Sequence, residues 1–215
     1  MTTSALGVYA QALTHHAAGG SPTTTVRLQD GSVRSLEVGR WVQGADAVDE
    51  HALAALHGPV LDVGCGPGRH LHALARRGVF GLGVDLCPAA VQLARGRGAN
   101  AIVGSIFGDV PYAGNWRSAL LLDGNIGIGG RPARLLARIA SLLAPRGTIL
   151  VELAPPETMT TQTLARIETA AAISDWFAWA EVSAASIGEL ADAAAVHVCD
   201  VWQTYDRWFA RLAAS

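Results

Sequence analysis

The chain has 215 residues, half of them hydrophobic and 16% charged, with a formal charge of −2. That length suits one α/β domain plus a modest appendage, and the spread of apolar residues excludes wholesale disorder. All sixteen basic residues are Arg, and they form no cluster that would track a phosphate backbone, so a nucleic-acid partner is not expected. No apolar run reaches the roughly 20 residues of a spanning helix, and the N-terminus lacks a secretory layout, so no membrane partner and a cytoplasmic location are expected. Cys65, Cys87 and Cys199 lie far apart, a pattern of ordinary thiols rather than a disulfide framework or a zinc site.

In chain order, residues 6–13 read as a short helix that His15-His16-Ala-Ala-Gly-Gly breaks. Two β-prone runs, 24–28 and 33–38, flank Asp30-Gly31 and read as a hairpin. Residues 46–56 suit a helix, ended by Gly58-Pro59, so 1–58 form an N-terminal cap. After it, strand-like stretches at 60–63, 79–84, 101–103, 119–122 and 148–153 alternate with helix-like ones at 69–77, 88–97 and 132–143. Short, nearly all-apolar strands separated by helices indicate a parallel sheet covered on both faces, with ligands at the carboxyl ends of its strands. Residues 157–183 interrupt the alternation with a Thr-rich helix and then an aromatic strand. A helix at 187–194 and strands at 196–202 and 207–212 close the chain.

The informative segment is Val60-Leu-Asp-Val-Gly-Cys-Gly-Pro-Gly-Arg-His70. A buried strand runs into a glycine turn that opens a helix. Glycines admit close ligand approach, and the helix start offers unpaired N–H groups. The spacing is G-x-G-x-G, with Arg69 where a dinucleotide fingerprint needs its last glycine. Asp62 precedes the turn, and Gly83-Val84-Asp85 ends the second strand, where a carboxylate can accept both hydroxyls of a ribose.

In these motifs, joined by Leu142-Leu-Ala-Pro-Arg-Gly-Thr-Ile-Leu150, the sequence resembles the class I S-adenosylmethionine (SAM)-dependent methyltransferases. The resemblance implies a Rossmann-like, doubly wound, mostly parallel seven-stranded sheet with an antiparallel last strand. It implies SAM as cofactor, gripped by 59–215, with 157–183 as a substrate-side insertion. Gly64 and Gly66 would face the methionine part of SAM, with Cys65 and Gly68 in the same turn. Asp62 would orient the amino group, and Asp85, followed by Leu86, would hold the ribose. At the third strand many relatives carry an Asp for the adenine amino group; here Ser105 stands, a weaker acceptor. Ile106 and Phe107 either sandwich the adenine or pack the core.

At the reacting end, Asp123 and Asn125 follow the fourth strand, as site residues, as turn formers, or as both. The segment lacks the Asn/Asp-Pro-Pro-Tyr/Phe pattern of base-amino methyltransferases. Methyl transfer needs alignment and water exclusion, and a base only where the acceptor must lose a proton. His15, His16 and His70 are the candidates for that base, with His15-His16 otherwise an unstructured polar arm. His70, one turn into the first helix, faces solvent or packs beneath the turn. Trp41 faces the sulfonium or anchors the cap. Trp176, Phe177 and Trp179 line an apolar acceptor pocket or form a satellite core. The expectation is methyl transfer to a small-molecule acceptor by a monomer or homodimer. An NAD-linked oxidoreductase and a non-catalytic SAM-binding protein are the alternatives; the first is disfavoured by glycine spacing and by the lack of any Lys.

Overall fold

A computed structural model describes residues 3–214. Ser4 caps α1 (Ala5–Ala17) by accepting from the Gly7 amide. Next come β1 (Thr24–Leu28), β2 (Val33–Ser35), α2 (Val38–Trp41) and α3 (Ala47–Leu53), whose start is a reciprocal Asp46/Asp49 capping box. The alternating region then supplies β3 (Val60–Val63), α4 (Arg69–Arg76), β4 (Gly81–Asp85), α5 (Pro88–Gly96), β5 (Ala101–Val103) and β6 (Trp116–Leu121). It continues through a 3-10 helix (Asn125–Gly130), α6 (Pro132–Ala140) and β7 (Leu143–Leu153). The last elements are β8 (Thr161–Thr169), β9 (Phe177–Glu181), α7 (Ile187–Ala193), β10 (Val196–Thr204) and β11 (Arg207–Ala214).

Seven strands form the main sheet in the order β10-β11-β7-β6-β3-β4-β5. From β7 to β5 every pairing is parallel, while the chain's last strand, β11, runs antiparallel between β7 and β10. This is the expected doubly wound sheet. In β3, four consecutive buried residues alternate between the two faces. Leu61 and Val63 pack in the layer of α6 and α7, whereas Val60 packs with Leu53 of α3 and Leu74 of α4. Period-2 alternation therefore turns Asp62 toward the α3/α4 face, into the protein. Among the described residues no helix is long and apolar enough to cross a membrane.

Three expectations need correction. Residues 161–169 are a strand, not a helix. Their β-branched Thr and Ile positions alternate, and β8 finds partners on both sides, β1 at one edge and β9 at the other. The N-terminal hairpin and the 157–183 segment thereby build one four-stranded sheet, β2-β1-β8-β9. Helix α1 runs on through His15 and His16 and stops at the glycine pair, where Gly19 takes a positive φ. Finally, Leu143 begins β7 rather than ending a helix.

Candidate functional site

The turn leaving β3 holds Gly64, Gly66 and Gly68 at φ of +72°, +51° and +79°, a region side chains rarely enter. Two outside groups fix it. Asn125 Nδ2 donates to the carbonyls of Val63 (2.9 Å) and Gly64 (3.0 Å), joining the turn to the end of β6. On the other side Asp85 Oδ2 accepts from the Gly66 amide at 2.9 Å, and its Oδ1 accepts from Cys87 at 2.8 Å. Burial pushes the Asp85 carboxyl up, while these two amides pull it down. Beneath the turn the Cys65 thiol is buried against Gly83, and desolvation keeps it protonated.

The floor is acidic. Asp62 is 1% exposed, and its Oδ2 has no hydrogen-bond partner among the described residues. Burial pushes this carboxyl up to about 6, against the opposing pull of His70 and Arg69. The His70 ring packs beneath the turn, its Nδ1 3.9 Å from Asp62 and its Nε2 3.6 Å from Asp49.

Beside the floor lies an ion network that the motifs did not point to. Asp49, on α3 of the cap and fully buried, faces Arg69 Nη1 at 2.7 Å, Arg207 Nη1 at 2.8 Å and Arg40 Nη2 at 3.2 Å. Arg69 also grips Asp123 through both carboxylate oxygens, at 2.6 and 2.7 Å. Arg207 holds Glu152 with two nitrogens, Nε on Oε1 and Nη2 on Oε2, and Glu152 accepts from the Asp123 amide at 2.7 Å. Cap, α4, last strand and the ends of β6 and β7 thus share one set of charges. The local signals were the Asp46/Asp49 capping spacing and an Arg directly after the third glycine; Arg207 had none.

Two cavities meet at Asp123, which lines both. The first lies over the glycine turn, walled by Tyr9, Trp41, Gly64, Gly66, His70 and Asn125. Tyr9 reaches over the turn so that a Cβ on Gly66 would stand 3.2 Å from its hydroxyl, and its ring meets Trp41 edge-on at 6.0 Å. Burial and the nearby Asp85 hold the Tyr9 hydroxyl protonated. The second cavity, about 260 Å³, opens between the four-stranded sheet and the ends of β6 and β7. Its walls include Val26, Leu28, Leu153 and Trp179, with the charged groups Arg34, Glu152 and Glu181.

Of the residues singled out from the sequence, Trp41, Gly64, Cys65, Gly66, Asp123 and Asn125 line the first cavity, and Asp62, Gly68 and Asp85 shape it from below and behind. Trp41 also packs with α1 and α5, so it anchors the cap as well. Leu86 is exposed just beyond Asp85. Ser105 Oγ accepts from the Phe107 amide, Ile106 belongs to the core, and Phe107 lies under the Arg134 guanidinium. Trp179 lines the second cavity with Phe177 edge-on against it; Trp176 is turned outward beneath Arg166. Neither His15 nor His16 lines either cavity: the last turn of α1 carries them past the mouth, and His16 Nε2 pairs with the Pro22 carbonyl.

Residues 60–147 match a family model described as a methyltransferase domain. A 72-residue stretch is 38% identical to 2-heptyl-1-hydroxyquinolin-4(1H)-one methyltransferase of Mycobacteroides abscessus, covering 34% of this chain and 30% of that protein. Among solved structures, a SAM-dependent methyltransferase from Bacteroides fragilis in complex with S-adenosyl-L-homocysteine superposes over 100% of this chain and 98% of its own. Its TM-score is 0.81 at 20% identity. The 1,6-didemethyltoxoflavin-N1-methyltransferase of Burkholderia thailandensis gives 0.60 at 19% identity, over 100% and 92% of the two chains. These likenesses show a shared fold.

Proposed function

We propose, from the match of residues 60–147 to a methyltransferase-domain model and from the doubly wound sheet, that the chain moves the methyl group of SAM to a small-molecule acceptor, leaving S-adenosylhomocysteine. The observation that carries this reading is the junction: a glycine cradle held by Asp85 and Asn125 opens, past Asp123, into a second, largely apolar cavity.

The residues present fit the cofactor. The cradle is closed to a Cβ at Gly64, where it would stand 2.8 Å from Asn125, and the orphaned Asp62 Oδ2 suits an ammonium group. In this reading Gly64 and Gly66 take the methionine part and Asp62 its amino group. Asp85, each of whose oxygens accepts one amide, takes the ribose hydroxyls. Leu86 and Phe107 flank the adenine, with Ser105 near its edge and Ile106 supporting them from the core. When bound, SAM supplies a methyl group activated by its sulfonium.

What the chain contributes is alignment and exclusion of water, worth several kcal/mol. Tyr9 and Trp41 cover the cradle, while Asp123 and Glu152 are already engaged by the guanidiniums of Arg69 and Arg207. His15 and His16 drop out as bases on the same geometry, which favours an acceptor that attacks as a neutral nucleophile. Residues 1–58 and the 157–183 insertion select that acceptor, a role supported by their joint sheet walling the second cavity. The reading carries with it a cytoplasmic protein acting as monomer or homodimer on a small molecule. Calorimetry with SAM, S-adenosylhomocysteine and NAD, followed by a methyl-release assay over a panel of small metabolites, tests it. Binding of both adenosyl compounds with turnover is expected; binding without turnover leaves a SAM-binding protein, and NAD binding alone refutes the reading.

A further inference from the structure

Across the sheet roofing the second cavity, side chains from its two opposite edge strands meet. Arg34 stands on one edge strand, β2, and Glu181 on the other, β9, yet the two side chains form an ion pair. In a flat sheet three strand spacings of about 4.8 Å would separate them, with side chains standing perpendicular to the sheet. Both side chains line the cavity.

Three carboxylates face this space, and they are not equivalent. Asp123 and Glu152 are each held bidentately by Arg69 and Arg207, guanidiniums that are themselves 3% and 12% exposed. Glu181, 19% exposed, has only Arg34 as an ion-pair partner among the described residues, and the Arg34 side chain is 49% exposed. Arg34 is therefore the removable cation, because its guanidinium can move into water with little loss of hydration or packing. The reverse exchange is unfavourable. An anionic ligand drawn to Arg34 would leave Glu181 unpaired beside apolar walls and two further carboxylates.

We propose that the methyl acceptor carries, apart from the neutral atom that is methylated, a cationic nitrogen that replaces Arg34 on Glu181, with its apolar body against Trp179 and the neighbouring aliphatic wall. The inference rests on the methyl-transfer reading for the identity of the cavity, and names its substrate class as amphipathic amines.

The test uses the full chain saturated with S-adenosylhomocysteine, itself followed by calorimetry, and three probes of one shape: benzylamine, benzyl alcohol and benzoate. Binding is read by tryptophan fluorescence and by ligand-observed NMR. Benzylamine should bind about tenfold more tightly than the other two. E181Q should erase that preference, and R34Q should strengthen benzylamine several-fold by removing the competitor; thermal melts verify that both variants fold. Benzoate binding as well as benzylamine, no benzylamine binding, or an E181Q affinity within twofold of the parent overturns the proposal. Loss of charge preference with S-adenosylhomocysteine still bound sinks this inference alone, whereas failure to bind S-adenosylhomocysteine sinks the reading beneath it.

Discussion

Asp49→Asn removes one negative charge from the centre of the ion network while keeping the side chain's size. Its carboxylate is fully buried and serves three guanidiniums, of Arg69, Arg207 and Arg40, at 2.7 to 3.2 Å. Deleting one partner of a buried pair costs about 3–5 kcal/mol, because the remaining charge is left uncompensated. Here Arg69 retains Asp123 and Arg207 retains Glu152, so the lower end, about 3 kcal/mol, is expected. For a domain of this size that lowers the melting temperature by about 6–12 °C. The pH dependence adds a second check. Burial works against ionisation of Asp49, but His70, Arg207 and Arg69 outweigh it and hold the carboxyl well below the usual carboxylate range. A carboxylate with a depressed folded-state pKa stabilises above its unfolded value and loses that contribution as the pH falls. The gap between parent and variant should therefore be full at pH 7 and narrow below about pH 4. Calorimetric melts across this range measure both. A variant that melts within about 2 °C of the parent at pH 7, or a gap that stays constant to pH 3, would refute the network's role.

The floor and the cavities give further expectations. Asp62 has a folded-state carboxyl raised to about 6, so its burial destabilises the ligand-free protein as pH rises from about 4 to 6. Asp62→Asn should gain up to about 3 kcal/mol in urea unfolding at pH 7 while weakening S-adenosylhomocysteine binding; a destabilised variant would contradict that sign. Gly66→Ala places a side chain at φ +51° and a Cβ 3.2 Å from the Tyr9 hydroxyl, costing about 1–2 kcal/mol and at least about tenfold in S-adenosylhomocysteine affinity by calorimetry. Trp179→Ala strips the wall that packs on Gly127. It should lower stability by about 2–3 kcal/mol and abolish acceptor turnover, yet leave S-adenosylhomocysteine affinity within about twofold.

The parts of this molecule legible in the sequence are those specified by neighbours along the chain. The turn at 64–68 announces itself because glycines there are a local backbone requirement, and Asp85 is found by counting strands from it. The alternation of short apolar strands with helices likewise gives the sheet and its faces. What escaped depends on partners far away in sequence. Residues 161–169 carry enough Thr to read as either element, and pairing with β9 and with β1, more than a hundred positions earlier, decides for a strand. Asp49, Arg69 and Arg207 lie far apart in sequence, and only the fold brings them together. His15 and His16 differ: a pair of imidazoles is conspicuous in sequence, but a helix that continues to Ala17 places them outside the lining of both cavities. Trp176 and Trp179 lie three residues apart and differ in everything that matters, one outward beneath Arg166 and one in the cavity wall.

A crystal structure grown with S-adenosylhomocysteine tests the account most directly. It should place the ribose hydroxyls on the Asp85 carboxylate, the amino group at Asp62, and the sulfur directed past Asp123 toward the second cavity. A nucleoside lodged elsewhere, or one whose sulfur points away from that opening, would contradict it.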